Sequence, residues 1–295
     1  MKKLLITGAG GFLGSHLVEI ASASYEVYGF SLDSKINLPP NNCYYFPLSD
    51  KSKLQELLEE IQPDYLIQCA AISSDAGCFN QPELAYTVNV STVKWLQDWC
   101  VQHHKRMIFT STDLVFSGED APYSEWDKAE PRLKYGQLKR AAEMQLLDIS
   151  NISIVRLPLL IGIGLGEKKG LLADFISKCH QNEVQFLFTD EFRNPASVND
   201  VAKFLIQLLN LSHNGILHLG GLERWSRYDL AIQFCQSLHL SEENILPTTR
   251  AEKKMSNRPF DTNMISEKAY QLGFQPQKVA DALQYLKLDL KTKAQ

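Results

Sequence analysis

The chain has 295 residues, 44% of them hydrophobic, enough to bury a sizeable core as one large domain or two modest ones. Its 30 basic residues against 34 acidic ones leave a net charge of −4, and no run of Lys and Arg exceeds two. That balance argues against a nucleic-acid groove or an anionic membrane surface as the partner.

The chain opens with an apolar run, Leu4-Leu5-Ile6, that reads as a buried strand. Three apolar residues are too few for a signal-peptide core, and no later run reaches the length of a membrane span, so the expected location is the cytoplasm. Further strands are expected at Val27–Phe30, Tyr44–Phe46, Tyr65–Ile67 and Met107–Phe109. Helices fall between them at Phe12–Ser22, Lys51–Ile61 and Pro82–His103. In the Lys51 segment Leu54, Leu57, Leu58 and Ile61 repeat at the helical period. Continuous apolar strands joined by helices mean a parallel sheet covered on both faces. A helix from about Arg132 to Asp148 and a strand at Ile152–Arg156 continue the pattern. Beyond Pro158 the rhythm changes to a Gly-rich loop over Leu159–Gly170 and a helix at Leu171–His180. A further βα-like unit at Val198–Leu211 then leads into a strand at Ile216–Leu219, and small helices with polar turns fill Ser226–Leu288. The expected fold is therefore α/β, a Rossmann-type doubly wound parallel sheet of about seven strands with a smaller, mainly helical C-terminal substrate lobe. The two domains interleave: 1–157 plus about 190–221 for the dinucleotide, about 158–189 plus 222–295 for the substrate.

The turn after the first strand reads Gly8-Ala9-Gly10-Gly11-Phe12-Leu13-Gly14 and runs directly into a helix. Glycines let such a turn fold tightly and let a pyrophosphate approach the backbone, where the helix-opening amides and dipole face the anion. A glycine cluster alone is weak, but after an apolar strand and before an amphipathic helix it points strongly to a dinucleotide. The GxxGxxG spacing of Gly8, Gly11 and Gly14 is similar to that of the extended branch of the short-chain dehydrogenase/reductase superfamily. The place of a ribose-binding carboxylate, at the end of the second strand, is taken by Ser31; Asp33 lies two residues later, and only Lys35 stands in for a phosphate-binding Arg. The choice between NAD and NADP stays open.

Ser111-Thr112-Asp113 close the strand that begins at Lys105, at the sheet edge where open α/β folds bind ligands. Tyr135 and Lys139 follow, four apart and on one helix face. A free phenol ionises at about 10, and a neighbouring ammonium stabilises the phenolate, which suits proton exchange with a carbonyl or alcohol. Thr112 is placed to hold the substrate oxygen. No His/Asp/Glu cluster supports a metal, and the six scattered cysteines, without a CxxC pair, read as reduced thiols. His16, His103, His104 and His218 read as surface, capping or core residues, and Trp95 with Trp99 as packing.

The segments Thr110–Gly118, Pro122-Tyr123-Ser124-Glu125, Tyr135-Gly136-Gln137-Leu138-Lys139, Arg193-Asn194-Pro195, Asn199–Ala202 and Asn257-Arg258-Pro259 together resemble the dTDP-4-dehydrorhamnose reductase family. The resemblance implies reduction of the 4-keto group of a nucleotide-linked deoxysugar by NADPH or NADH. It implies catalytic roles for Thr112, Tyr135 and Lys139, and a cofactor bordered by Phe12, Leu13, Ser31, Leu48, Ala70, Ala71 and Lys139. Asp113 would lie beside the substrate, Arg193 and Arg258 would grip its diphosphate, and Asn89 matches a helix asparagine of the extended branch. The chain departs from the family at Leu114, usually Tyr, at Leu159, usually Trp, and at Pro47, where an acid is expected with Asp50 close by. Two alternatives stand beside this reading: an epimerase or dehydratase that recycles its NAD, and a non-catalytic subunit like the methionine adenosyltransferase regulatory subunit of the same family. The oligomeric state, a homodimer included, stays open.

Overall fold

The structure is a computed structural model that describes residues 1–284; the last residues of the stretch expected to end at Leu288 lie outside the described residues. In chain order the first half runs β1 (Lys3–Thr7), α1 (Phe12–Ala21), β2 (Glu26–Ser31), β3 (Cys43–Tyr45), α2 (Lys51–Ile61) and β4 (Tyr65–Gln68). It continues through α3 (Asp75–Asn80), α4 (Pro82–Tyr86), α5 (Thr92–Gln102), β5 (Arg106–Thr112), α6 (Lys134–Leu146) and β6 (Ile152–Leu157). The second half holds β7 (Leu160–Ile161), α7 (Leu171–His180), β8 (Gln185–Phe188), β9 (Phe192–Arg193), β10 (Ala196–Ser197) and α8 (Val198–Leu208). Then come β11 (Gly215–His218), β12 (Trp225–Ser226), α9 (Arg227–Leu238), β13 (Ile245–Thr248) and α10 (Glu267–Gln271).

Seven strands form one all-parallel sheet in the order β11-β6-β5-β4-β1-β2-β3. These are the seven apolar runs of the sequence. The order reverses between β1 and β4, and that switch point opens a crevice at the carboxyl ends of the strands. Alternation along each strand feeds two cores. Leu4 and Ile6 of β1 face one side with Leu13, Leu17 and Val18 of α1 and Val201, Phe204, Leu205 and Leu208 of α8. Leu5 faces the other side with Leu54, Leu57, Leu58 and Ile61 of α2, Val93, Leu96 and Trp99 of α5, and Ala142 and Leu146 of α6. Each fully buried aliphatic side chain contributes about 1.5–3 kcal/mol, so the α2 stripe is ample to hold that helix on the sheet. Among the described residues no helix is long and apolar enough to cross a membrane.

The single helix expected over Pro82–His103 is α4 and α5 joined by a π turn, Thr87–Ser91. A third apolar cluster gathers Ile161, Leu172, Phe175, Leu230, Phe234, Ile245 and Leu283. Here the chain is less purely helical than its sequence patterns indicate. Three two-stranded sheets, β10-β7, β12-β9 and β13-β8, stitch the second-half segments together.

Candidate active site

Thr7, the last residue of β1, ties the switch point together: its hydroxyl accepts from the backbone amides of Cys69 and Ala70 at 3.2 Å each and donates to Gln68. The glycine turn follows. A Cβ on Gly14 would stand 2.0 Å from the Gly8 carbonyl oxygen, so only glycine fits that first turn of α1. The N-cap residue of α1 is Gly11, which offers no side-chain cap, and the first turn holds no acid. The helix-opening amides and the positive dipole end are thus left for an external anion, which fits a dinucleotide pyrophosphate.

The crevice above this turn has a volume of about 550 Å³. Its walls include Gly8, Gly11, Phe12, Leu13, Gly14, Ser31, Ala70 and Ala71 on one side and Thr112, Tyr135 and Lys139 on the other. Leu48 lines an adjoining apolar slot of about 170 Å³ that shares Gly8, Ser31, Ala70 and Ala71 with the crevice. A flat aromatic base suits such a slot. Asn89, on the π turn, accepts from the Ile72 amide at 2.9 Å and donates to the Ile72 carbonyl at 3.0 Å, which fixes the Ala70-Ala71 wall.

Helix α6 approaches the end of β5 closely because Gly136 has no side chain: a Cβ there would lie 2.1 Å from the Leu114 carbonyl. Its N-terminus has no cap of its own, and Asp75 of α3 accepts from the Tyr135 amide at 3.2 Å. Tyr135 is partly buried, and burial, with Asp113 and the thiols of Cys78 and Cys69 adding to it, raises the phenol well above its ordinary range. Lys139 is fully buried, its Nζ 4.0 Å from the centroid of the Phe109 ring. Burial lowers its ammonium to about 8, with Cys69 and Glu143 pulling the other way. The phenol is therefore held protonated at neutral pH, the form that donates. Thr112 Oγ1 accepts from the Leu114 amide and lies 3.2 Å from Asp113 Oδ1, so it caps the turn Asp113–Val115 as well as lining the crevice.

Asp113, Arg193 and Arg258 are not among the crevice-lining residues. Asp113 is buried; its Oδ2 accepts from Thr262 at 2.5 Å and from Arg193 Nε at 3.2 Å. Arg193 Nη2 also lies 3.3 Å from Glu191, and Arg258 forks onto the same carboxylate at 2.5 and 2.9 Å. Burial opposes ionisation of Glu191, but the bonds from Arg258 and the charges of Arg193, Arg258 and Arg227 outweigh it and hold the carboxyl below its usual range. The two guanidinium groups expected to meet a diphosphate already share an anion from the chain itself. A Glu191→Gln variant is expected to bind a free nucleoside diphosphate about ten- to a hundredfold more tightly in calorimetry, since each hydrogen bond to a charge is worth about 1.5–3 kcal/mol. Arg193 keeps Asp113 as counter-charge, so the fold is expected to survive. Unchanged affinity would mean that these arginines do not meet the ligand.

Asp33, two residues beyond the expected ribose position, lines the crevice beside Ser31; sequence patterns do not single out Ser34, which joins it there, or Lys168, which reaches it from the Gly-rich loop. Nor do they reveal Asp75, whose partner comes from a distant segment, or Glu191, which joins the nearby Arg193 to the distant Arg258. Asp50, expected near the third strand, caps α2 by accepting from the Lys53 amide. His218 is a core residue, neutral because burial and Arg156 lower it to about 3.

Over residues 1–290 the chain matches the family model described as RmlD substrate binding domain. It is 28% identical over 242 residues to a dTDP-4-dehydrorhamnose reductase of Aggregatibacter actinomycetemcomitans, covering 79% of this chain and 78% of that protein. It is 26% identical over 280 residues to methionine adenosyltransferase 2 subunit beta of Xenopus laevis, covering 92% and 83% respectively. Its fold superposes with a TM-score of 0.85, at 23% identity, on a dTDP-4-dehydrorhamnose reductase of Bacillus anthracis solved in complex with NADP, covering 98% of this chain and all of that one.

Proposed function

The chain belongs to the RmlD substrate binding domain family, and from that premise we propose that it is a cytoplasmic NAD(P)H-dependent reductase acting on the 4-keto group of a nucleotide-linked deoxysugar. The observation that carries this reading is that Thr112, Tyr135 and Lys139 line the same crevice as the Gly8–Gly14 turn. The likeness to the Aggregatibacter reductase supports the substrate class, and the NADP complex of the Bacillus anthracis protein supports the cofactor class.

When bound, the reduced nicotinamide supplies the hydride. The uncapped α1 amides hold the pyrophosphate, and the Leu48 slot takes the base. Thr112 hydrogen-bonds the carbonyl oxygen and orients it. Tyr135 donates its phenolic proton to that oxygen as charge develops there. Lys139 keeps its charge through neutral pH and steadies the phenolate left behind. Within the lobe expected to bind substrate, residues of about 158–189 and 222–284 would hold the sugar nucleotide. NADH and NADPH consumption measured against a panel of nucleotide 4-keto-sugars tests the proposal. Oxidation that requires the sugar is expected; oxidation with none of them would end it.

A second reading, a dinucleotide-binding regulatory subunit, is favoured by one observation: the Glu191 carboxylate occupies both Arg193 and Arg258. The relatedness to methionine adenosyltransferase 2 subunit beta points the same way. Stable capture of a partner protein, together with no turnover on the panel, would select it.

A further inference from the structure

We propose that Glu143 is a positioning residue that locks the end of β5 against the Tyr135–Lys139 face of α6, joining Ser111 to that helix through a buried carboxylate; the proposal rests on the reductase reading of the crevice. Tyr135, Lys139 and Glu143 follow one another at four-residue steps, so all three share one face of α6. Glu143 is completely buried, which a carboxylate tolerates only when fully partnered. Its partners are supplied from three elements. Ser111 of β5 donates to Oε1 at 2.6 Å, Arg156 of β6 donates to both oxygens at 3.0 and 2.8 Å, and Arg140 of α6 itself donates to Oε2 at 3.0 Å.

The chain of contacts continues beyond the carboxylate. Arg156 Nη1 donates to His218 Nε2 at 3.3 Å, which fixes the His218 tautomer, so that Nδ1–H donates to the Ile265 carbonyl at 3.2 Å. Three residues back along that segment, Thr262 donates to Asp113, the residue after Thr112. The circuit therefore closes on the catalytic strand end from both sides. Such a fully satisfied buried network fixes one geometry, and a displacement of about 1 Å between Thr112 and Tyr135 is enough to lower turnover about a hundredfold.

Electrostatics give the proposal a signature that packing alone lacks. The groups facing Lys139 are Cys69 just beyond β4, the Phe109 ring of β5, and Glu143 of its own helix. Burial pushes the Cys69 thiol up to about 12, so it is neutral. Glu143 is the anion of this set. Its charge raises the Lys139 ammonium against burial, so neutralising it lowers the lysine further.

The test compares Glu143→Gln and Ser111→Ala with the wild type in the full chain. For Glu143→Gln, kcat is expected to fall about 10- to 100-fold with the dissociation constant for NADPH unchanged. Its Lys139 titration, followed by carbon NMR of labelled lysine, is expected to move down by about one unit. Ser111→Ala keeps the Glu143–Arg156 pair and the fold; it is expected to lower kcat about tenfold without moving that titration. Wild-type kcat in Ser111→Ala would overturn the proposal, even if Glu143→Gln fails to fold. An unmoved Lys139 titration in folded Glu143→Gln would overturn it too. Failure of the wild type on every ketosugar would instead sink the reductase reading, while the lysine titration would still report on Glu143.

Discussion

A Tyr135→Phe variant is expected to lose about 10²- to 10⁴-fold in kcat, the range over which a positioned general acid accelerates proton transfer. Its affinity for NADPH is expected to stay within about twofold, because the phenolic hydroxyl is the only group removed and the dinucleotide is gripped elsewhere. The ring itself has structural work. Tyr135 packs with Ile72 and Ala141 against a small buried cluster of Cys78, Ala85, Val90 and Leu138. Phenylalanine preserves those contacts, so thermal melting should be unchanged within the about ±0.5 kcal/mol typical of such replacements. The combination matters more than any one number. Lost turnover with intact cofactor binding and intact melting isolates the proton-donating oxygen. Normal turnover would remove Tyr135 from the chemistry and require another proton donor in the crevice.

That prediction draws on a residue the sequence exposes, and the contrast with less legible residues has a physical cause. Strands buried on both faces of a parallel sheet must be apolar throughout, so Leu4-Leu5-Ile6 and Met107-Ile108-Phe109 stand out as runs. The glycine turn stands out because a close backbone approach leaves no substitute for glycine. The tyrosine and lysine stand out because one helical turn separates them. By contrast, β7, β9, β10 and β12 are two residues long, too short to carry any period. The β13 strand contains Pro247, which demotes a strand in any pattern reading, yet it pairs in parallel with β8.

Buried charges are the hardest to foresee. Glu143 and Glu191 look like ordinary surface acids until Arg156 for the first and Arg258 for the second arrive from other segments to neutralise them. For Glu143 one signal was available: it extends the spacing of Tyr135 and Lys139 by another turn. For Glu191 the nearby Arg193 gives no sign of burial, and Arg258 lies in the distant 257–259 segment. Asp113, expected beside the substrate, likewise meets Arg193 and Thr262 from distant segments.

The second large effect is expected from Gly14→Ala. The added methyl would lie 2.0 Å from the Gly8 carbonyl oxygen and 2.8 Å from the Ala9 Cα, distances that no side-chain rotation relieves because both neighbours are backbone. The turn must therefore open, and the α1 amides must swing away from the line along which a pyrophosphate approaches. Losing two such hydrogen bonds to a charged group, at about 1.5–3 kcal/mol each, weakens dinucleotide binding at least about a hundredfold. Some stability goes with it. Gly14 is followed along α1 by Leu17 and Val18, which pack against α8, and overpacking of this kind costs about 1–3 kcal/mol. A lower melting temperature, by about 2–10 °C, is the corresponding observation. Because Tyr135 and Lys139 are carried by α6, on the opposite face of the sheet from α1, their local geometry should persist. Fluorescence titration with NADPH then separates the two halves of the site. Binding lost in Gly14→Ala and kept in Tyr135→Phe assigns grip and chemistry to different elements, whereas full affinity in Gly14→Ala would mean that the cofactor does not lie over the N-terminal turn at all.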